Sequence, residues 1–174
     1  MQIGNCNNLQ YLILPIKLKD PMSTLKLISS NIQLMNAEVI AGYEHILTSI
    51  RMAIRAWKRN KNIAKSLIME VILYASATRQ IKDAINKIGI TQDSRECIAL
   101  VISEDVKPFL NELLKYGEED ESLIEITSKK ISRIMKAFDI KESELMIAKS
   151  IYHKDNIAIQ SLVLERIALS ELFR

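Results

Sequence analysis

The chain has 174 residues, of which 48% are hydrophobic and 26% charged, with four glycines and three prolines. That composition excludes a disordered or collagen-like chain and fits one domain with a real core. The formal charge of +3 is too small to announce nucleic-acid binding by itself, and two cysteines exclude a disulfide framework.

Taken in chain order, Leu9 to Leu18 (LQYLILPIKL) reads as a strand, placed at a sheet edge because Pro15 interrupts it. Pro21 opens a short helix through Leu25 and Ile28. Ile32 to Met35 reads as a second strand, after which Asn36 begins a helix extending from Ala37 to about Trp57. The polar break Lys58 to Asn62 separates this helix from another at Ile63 to Ser76. A third helix follows Thr78, with Ile81, Ala84, Ile85 and Ile88 on one stripe and Gly89 as its stop.

Cys97 to Ile102 (CIALVI) is the strongest strand signal, and its unbroken apolar character predicts a covered, central position. A helix carrying Val106, Phe109, Leu110 and Leu113 comes next, then a solvent loop at GEEDE and a short strand at Leu123 to Ile126. Thr127 or Ser128 caps a helix bearing Ile131, Ile134 and Phe138; Ser143 caps one bearing Leu145, Ala148 and Ile151; the last runs from about Asp155 to Phe173. The expected fold is a single α/β (α+β-like) domain over 1–174: a small mixed or antiparallel sheet of three to four strands packed with about seven helices. No apolar run reaches the length of a membrane span, and no N-terminal leader pattern is present, so the sequence predicts a cytoplasmic protein.

Phosphate-loop, dinucleotide and metal-ligand motifs are missing from the sequence. His45 and Glu70 invite an enzymatic reading, with the imidazole as base and the carboxylate beside it. The alternative is structural: a hydrogen-bonded helix histidine, and a carboxylate on an apolar face paired with Arg79, Lys65 or Tyr74. His153 precedes a loop and carries no functional signal. At Ser76-Ala77-Thr78-Arg79-Gln80 a helix start with free backbone N–H groups coincides with a bidentate cation. That pattern fits an anion site, or a capped turn whose arginine pairs with Glu70 or Asp83. Lys58, Arg59 and Lys61 form a basic neighbourhood, read either as solvated surface or as a track for a nucleic-acid backbone. On the last helix Ile159, Leu162, Val163 and Phe173 gather on one side and Ile157, Leu164, Ala168 and Leu172 roughly opposite. The second face is either covered within the domain or free for a partner protein.

The runs AEVIAGYEHILTSIRMAIRA, NIAKSLIMEVILYASATRQIKDAINKIGI and LVLERIALSEL, spread from about Ile32 to Leu172, resemble the small kinase-binding subunit of the KEOPS (EKC) tRNA-modification complex. The most specific block is Glu70 to Tyr74, a small-residue turn, Arg79-Gln80-Ile81, Ala84 and Gly89-Ile90. The second mark is Glu165 to Leu169. This chain has Ser76-Ala77 where that family often has Ser-Gly.

The resemblance implies a mixed α/β fold and a non-catalytic accessory subunit without cofactor or metal. Its expected partners are the atypical kinase/ATPase subunit of the complex and tRNA, the latter through the 3′ CCA end. The transferase, reached only through the kinase, adds the threonylcarbamoyl group to the adenosine beside the anticodon. On this reading Thr78, Arg79, Gln80, Lys58, Arg59 and Lys61 are tRNA candidates. Leu164, Ala168, Leu169 and Leu172 are kinase candidates, and Glu70 is structural. A protein-only adaptor that regulates the kinase without touching RNA, or a small enzyme using His45 and Glu70, is the alternative.

Overall fold

The computed structural model describes residues 1–172. Phe173, assigned above to one face of the last helix, lies outside them. The strands are β1 (Gln2–Cys6), β2 (Leu9–Leu18), β3 (Ile32–Asn36), β4 (Glu96–Ser103) and β5 (Gly117–Glu119). Around them lie α1 (Pro21–Leu25), α2 (Gly42–Lys58), α3 (Leu67–Ala75), α4 (Ile81–Ile88), α5 (Lys107–Tyr116), α6 (Ser128–Phe138), α7 (Glu142–Tyr152) and α8 (Asp155–Glu171). The fold is mixed α/β, as expected, with one strand and one helix more than the sequence predicts.

All strand pairs are antiparallel, in the order β1-β2-β4-β3, with β5 added to the free part of β2. The two faces of the pleat carry separate cores. Leu12, Leu14, Ile16, Cys97, Ala99 and Val101 meet α5 through Val106 and Leu113, while Ile13, Ile98, Leu100 and Ile102 meet the main helical layer. β4 is central and buried because both faces are covered.

β2 is an interior strand, contrary to the edge position inferred from Pro15. β1 pairs with β2 only as far as Ile13, and β5 begins at Ile16. Pro15 falls in the gap between those two partners, and its carbonyl accepts the Asp120 N–H at 3.0 Å. N–H and C=O of one residue point the same way in an antiparallel strand, so the missing proline donor faces that gap and costs the β2–β4 ladder nothing.

Other differences are local. GEEDE contains β5 rather than a loop, because its charged side chains are exposed while its backbone pairs with β2. Leu123 to Ile126 is not a strand: Glu121–Ile124 is a 3₁₀ turn capped by Asp120. The buried Lys130 ammonium donates to Leu123 O at 2.8 Å and Glu125 O at 3.2 Å, which holds that turn. Burial lowers the Lys130 pKa to about 8. Asn36 caps a short 3₁₀ turn, Ala37–Val39, and α2 starts later, at Gly42. Gly42 has φ +80°, and a Cβ there would meet the Gln160 amide of α8 at 2.6 Å. Thr127 caps α6 as expected, but α7 begins one residue before Ser143, where Glu144 accepts the Lys141 N–H at 2.8 Å.

Candidate nucleic-acid and partner interfaces

α3 is an apolar helix whose every residue from Ile68 to Ala75 except Met69 is buried. It ends in a Schellman turn. Thr78 N–H donates to Leu73 O at 3.1 Å and Ala77 N–H to Tyr74 O at 2.8 Å, with Ala77 left-handed at φ 52°. α4 begins at Ile81 with Gln80 as its N-cap residue and has no side-chain cap, so Ser76 and Thr78, the capping candidates of this turn, do not serve it. Their hydroxyls are used inside the turn, Ser76 Oγ on Leu73 O and Thr78 Oγ1 toward Gln80 O.

Arg79 and Gln80 are exposed and Thr78 is half-buried. Among the described residues Arg79 forms no ion pair, so the pairing with Glu70 or Asp83 is not made. The α4 stripe divides: Ala84 and Ile88 are buried, whereas Ile81 and Ile85 are 42% and 46% exposed. They stand one turn apart at the helix start, two and six residues after Arg79. The junction therefore combines a bidentate cation, a helix start without a side-chain cap, and an apolar ledge. Such a surface takes an anion together with a flat apolar group.

Glu70 is fully buried. Its Oε2 accepts Ile63 N–H at 2.9 Å and Ala64 N–H at 2.7 Å, which pins the loop that leads into α3. Among the described residues neither Arg79 nor Lys65 forms an ion pair with it; the Tyr74 hydroxyl also donates to Glu171. His45 is also fully buried: Nδ1 accepts Ala41 N–H at 3.0 Å and Nε2 donates to Ala75 O at 2.7 Å. Desolvation lowers its pKa to about 4. With both nitrogens committed to backbone, the ring offers neither lone pair nor proton to a substrate.

The His45–Ala75 bond joins the start of α2 to the end of α3, so the two helices are antiparallel. α8 runs parallel to α2, with Gln160 on Ala41 O at 2.9 Å near one end and Glu171 facing Arg55 at 3.7 Å near the other. The 17 residues of α2 span about 25 Å. Lys58, Arg59 and Lys61 are exposed at the far end from Arg79, next to the exposed Leu172 (74%). The sequence candidates for RNA thus fall into two separate groups, one of which neighbours the candidates for protein docking.

On α8, Ile159, Leu162, Val163 and Ile167 are buried. Leu164 is half-buried, and Ala168, Leu169 and Leu172 are exposed. The larger apolar surface is on α7, where Met146, Ile147 (64%), Ile151 (62%) and Tyr152 face outward. From sequence, Ile151 is grouped with Leu145 and Ala148, and the others are not named. The signal is present in the sequence: Met146, Ile147 and Ile151 cannot all share one face of α7 with Leu145 and Ala148.

No helix among the described residues is long and apolar enough to cross a membrane, and no three of their His, Cys, Asp or Glu side chains gather as a metal site.

Comparison with known proteins adds two relatives and a family. The chain is 37% identical over 142 residues to the regulatory protein Cgi121 of Methanocaldococcus jannaschii, covering 80% of this chain and 83% of that one. It is 30% identical over 106 residues to the KEOPS complex subunit Cgi121 of Pyrococcus abyssi, covering 56% and 60%. The model of the kinase-binding protein CGI-121 family matches residues 11–171, nearly the whole fold from β2 to the last residue of α8. The chain belongs to the CGI-121 family of kinase-binding proteins.

Proposed function

We propose that this protein is a non-catalytic subunit that holds a kinase/ATPase partner on its α7–α8 side and the unpaired 3′ CCA end of tRNA at the Arg79 junction. In that role it supports threonylcarbamoylation of the adenosine beside the anticodon without touching the reacting atoms, and it reaches the transferase only through the kinase. The kinase part rests on family membership and on the CGI-121 family description. Exposed apolar side chains on α7 (Met146, Ile147, Ile151) and at the end of α8 (Leu169, Leu172) support it, because clustered exposed apolar side chains are a docking signal. On α8, Leu164 is half-buried and Ala168 exposed.

The observation that carries the RNA part is Arg79, which forms no ion pair among the described residues, just before a helix start that exposes Ile81 and Ile85. Unpaired nucleotides present a phosphate for the guanidinium and bare base faces for the ledge. Thr78 and Gln80 supply polar atoms at the rim. Lys58, Arg59 and Lys61, about 25 Å away, serve as contacts to the duplex behind the single-stranded end. Binding by several weak contacts works here through effective concentration, since the kinase holds the remaining machinery close by.

Fluorescence anisotropy with tRNA that carries or lacks its terminal CCA tests the RNA reading. Wild-type protein is expected to prefer the intact end about tenfold, and Arg79→Ala to erase that preference. Equal affinity of wild type for both RNAs would leave the protein-only adaptor as the better description.

A further inference from the structure

The end of α3 is gripped from two sides at consecutive carbonyls. His45 of α2 donates to Ala75 O at 2.7 Å, and Lys87 of α4 donates its ammonium to Ser76 O at 2.9 Å. Both side chains rest on one ring of α6: His45 meets Phe138 edge-on with centroids 5.5 Å apart, and Lys87 Nζ lies 4.9 Å from the same centroid. Ser76 is the last residue before left-handed Ala77, and Arg79 leaves the turn three residues later. Lys87 itself is half-buried and committed to this carbonyl, so it is not a surface cation competing for RNA. A helix C-terminus carries partial negative charge on its free carbonyls, and a cation placed there stabilises that end.

We propose that Lys87 is a positioning residue of the Arg79 junction: by tying Ser76 O over the Phe138 ring, it fixes the turn from which Arg79 projects. This rests on the RNA reading above. Without the ammonium, Ser76 O loses its donor. The left-handed turn at Ala77, already unfavourable for a residue with a Cβ, then opens more readily. Arg79 would sample several directions, and its bidentate contact would be lost on average.

The test is a double-mutant cycle on affinity for intact tRNA, using Lys87→Met, which keeps the aliphatic stem against Phe138, and Arg79→Ala. Lys87→Met is expected to weaken binding about tenfold in the wild-type background and by less than twofold when Arg79 is already alanine. Lys87→Arg is expected to recover most of the affinity, and capture of the kinase is expected to be unchanged in all variants. Equal losses in both backgrounds would show that Lys87 acts independently of Arg79 and would overturn the proposal, as would wild-type affinity for Lys87→Met. Amide hydrogen exchange reads the turn without RNA: exchange at Thr78 N–H is expected to accelerate in Lys87→Met, and unchanged exchange would also overturn it. Faster exchange at Thr78 with RNA affinity indifferent to Arg79→Ala would leave the grip on the turn standing and remove the RNA reading on which the positioning role depends.

Discussion

At the scale of single residues, two buried ionisable groups behave as structural parts. His45 has a native pKa near 4 against an ordinary value near 6.5. Its neutral form is therefore favoured by folding: the contribution is complete above about pH 6.5 and is lost as pH falls toward 4, because the unfolded chain takes up the proton first. The shift corresponds to about 3 kcal/mol. Denaturant titrations from pH 7.5 to 4 should show the wild-type advantage over His45→Gln shrinking by roughly that amount; a constant difference would contradict the assignment. Ala77 offers a second check. It occupies left-handed backbone at φ 52°, where a Cβ is costly. Ala77→Gly is expected to raise stability by about 1 kcal/mol, after allowance for the freer unfolded chain, and a fall in the denaturation midpoint would contradict the turn geometry. Glu70→Ala strands the Ile63 and Ala64 N–H groups and is expected to cost about 2 kcal/mol.

At the scale of elements, the sequence was legible where a period ran long enough to meet a cap. β4, α2, α3, α5, α6 and α8 fall close to where hydrophobic spacing puts them, and Asp20, Ser66 and Thr127 cap α1, α3 and α6 with their own side chains. The short elements were hidden. β1 and β5 are strands by backbone pairing, while their exposed side chains give no apolar pattern. Pro15 misled because edge or interior depends on what each partner strand covers, a tertiary fact. The same limit touched the interfaces. A 3.6-residue period says that Ile81, Ala84, Ile85 and Ile88 lie near one side of α4, but the surrounding helices decide which half of that side is covered. Glu70 needs partners, as its place on an apolar face implies, and two of them are backbone N–H groups that no side-chain pattern reveals. Because Ile147 and Ile151 of α7 are exposed, Ile151→Glu is expected to leave stability within about 0.5 kcal/mol of wild type while removing kinase capture in a pull-down. Retained capture by a folded variant would move the docking face elsewhere.

At the scale of the whole molecule, α2 is the ruler. Its antiparallel partner α3 brings the Arg79 turn to one end, and its parallel partner α8 brings Leu172 to the other. On the proposed reading two macromolecules occupy the protein together, one toward each end of α2. The electrostatic character of the two surfaces differs accordingly: loss of Arg79 should reduce the salt dependence of RNA binding by about one phosphate contact, whereas kinase docking on an apolar face should vary little with salt. The most direct test of this division is a crossed binding experiment, with kinase and tRNA each titrated against wild type, Arg79→Ala and Leu172→Glu. The account predicts that Arg79→Ala loses tRNA and keeps the kinase, and that Leu172→Glu does the reverse. Loss of both partners in one folded variant, or of neither in both, would contradict it.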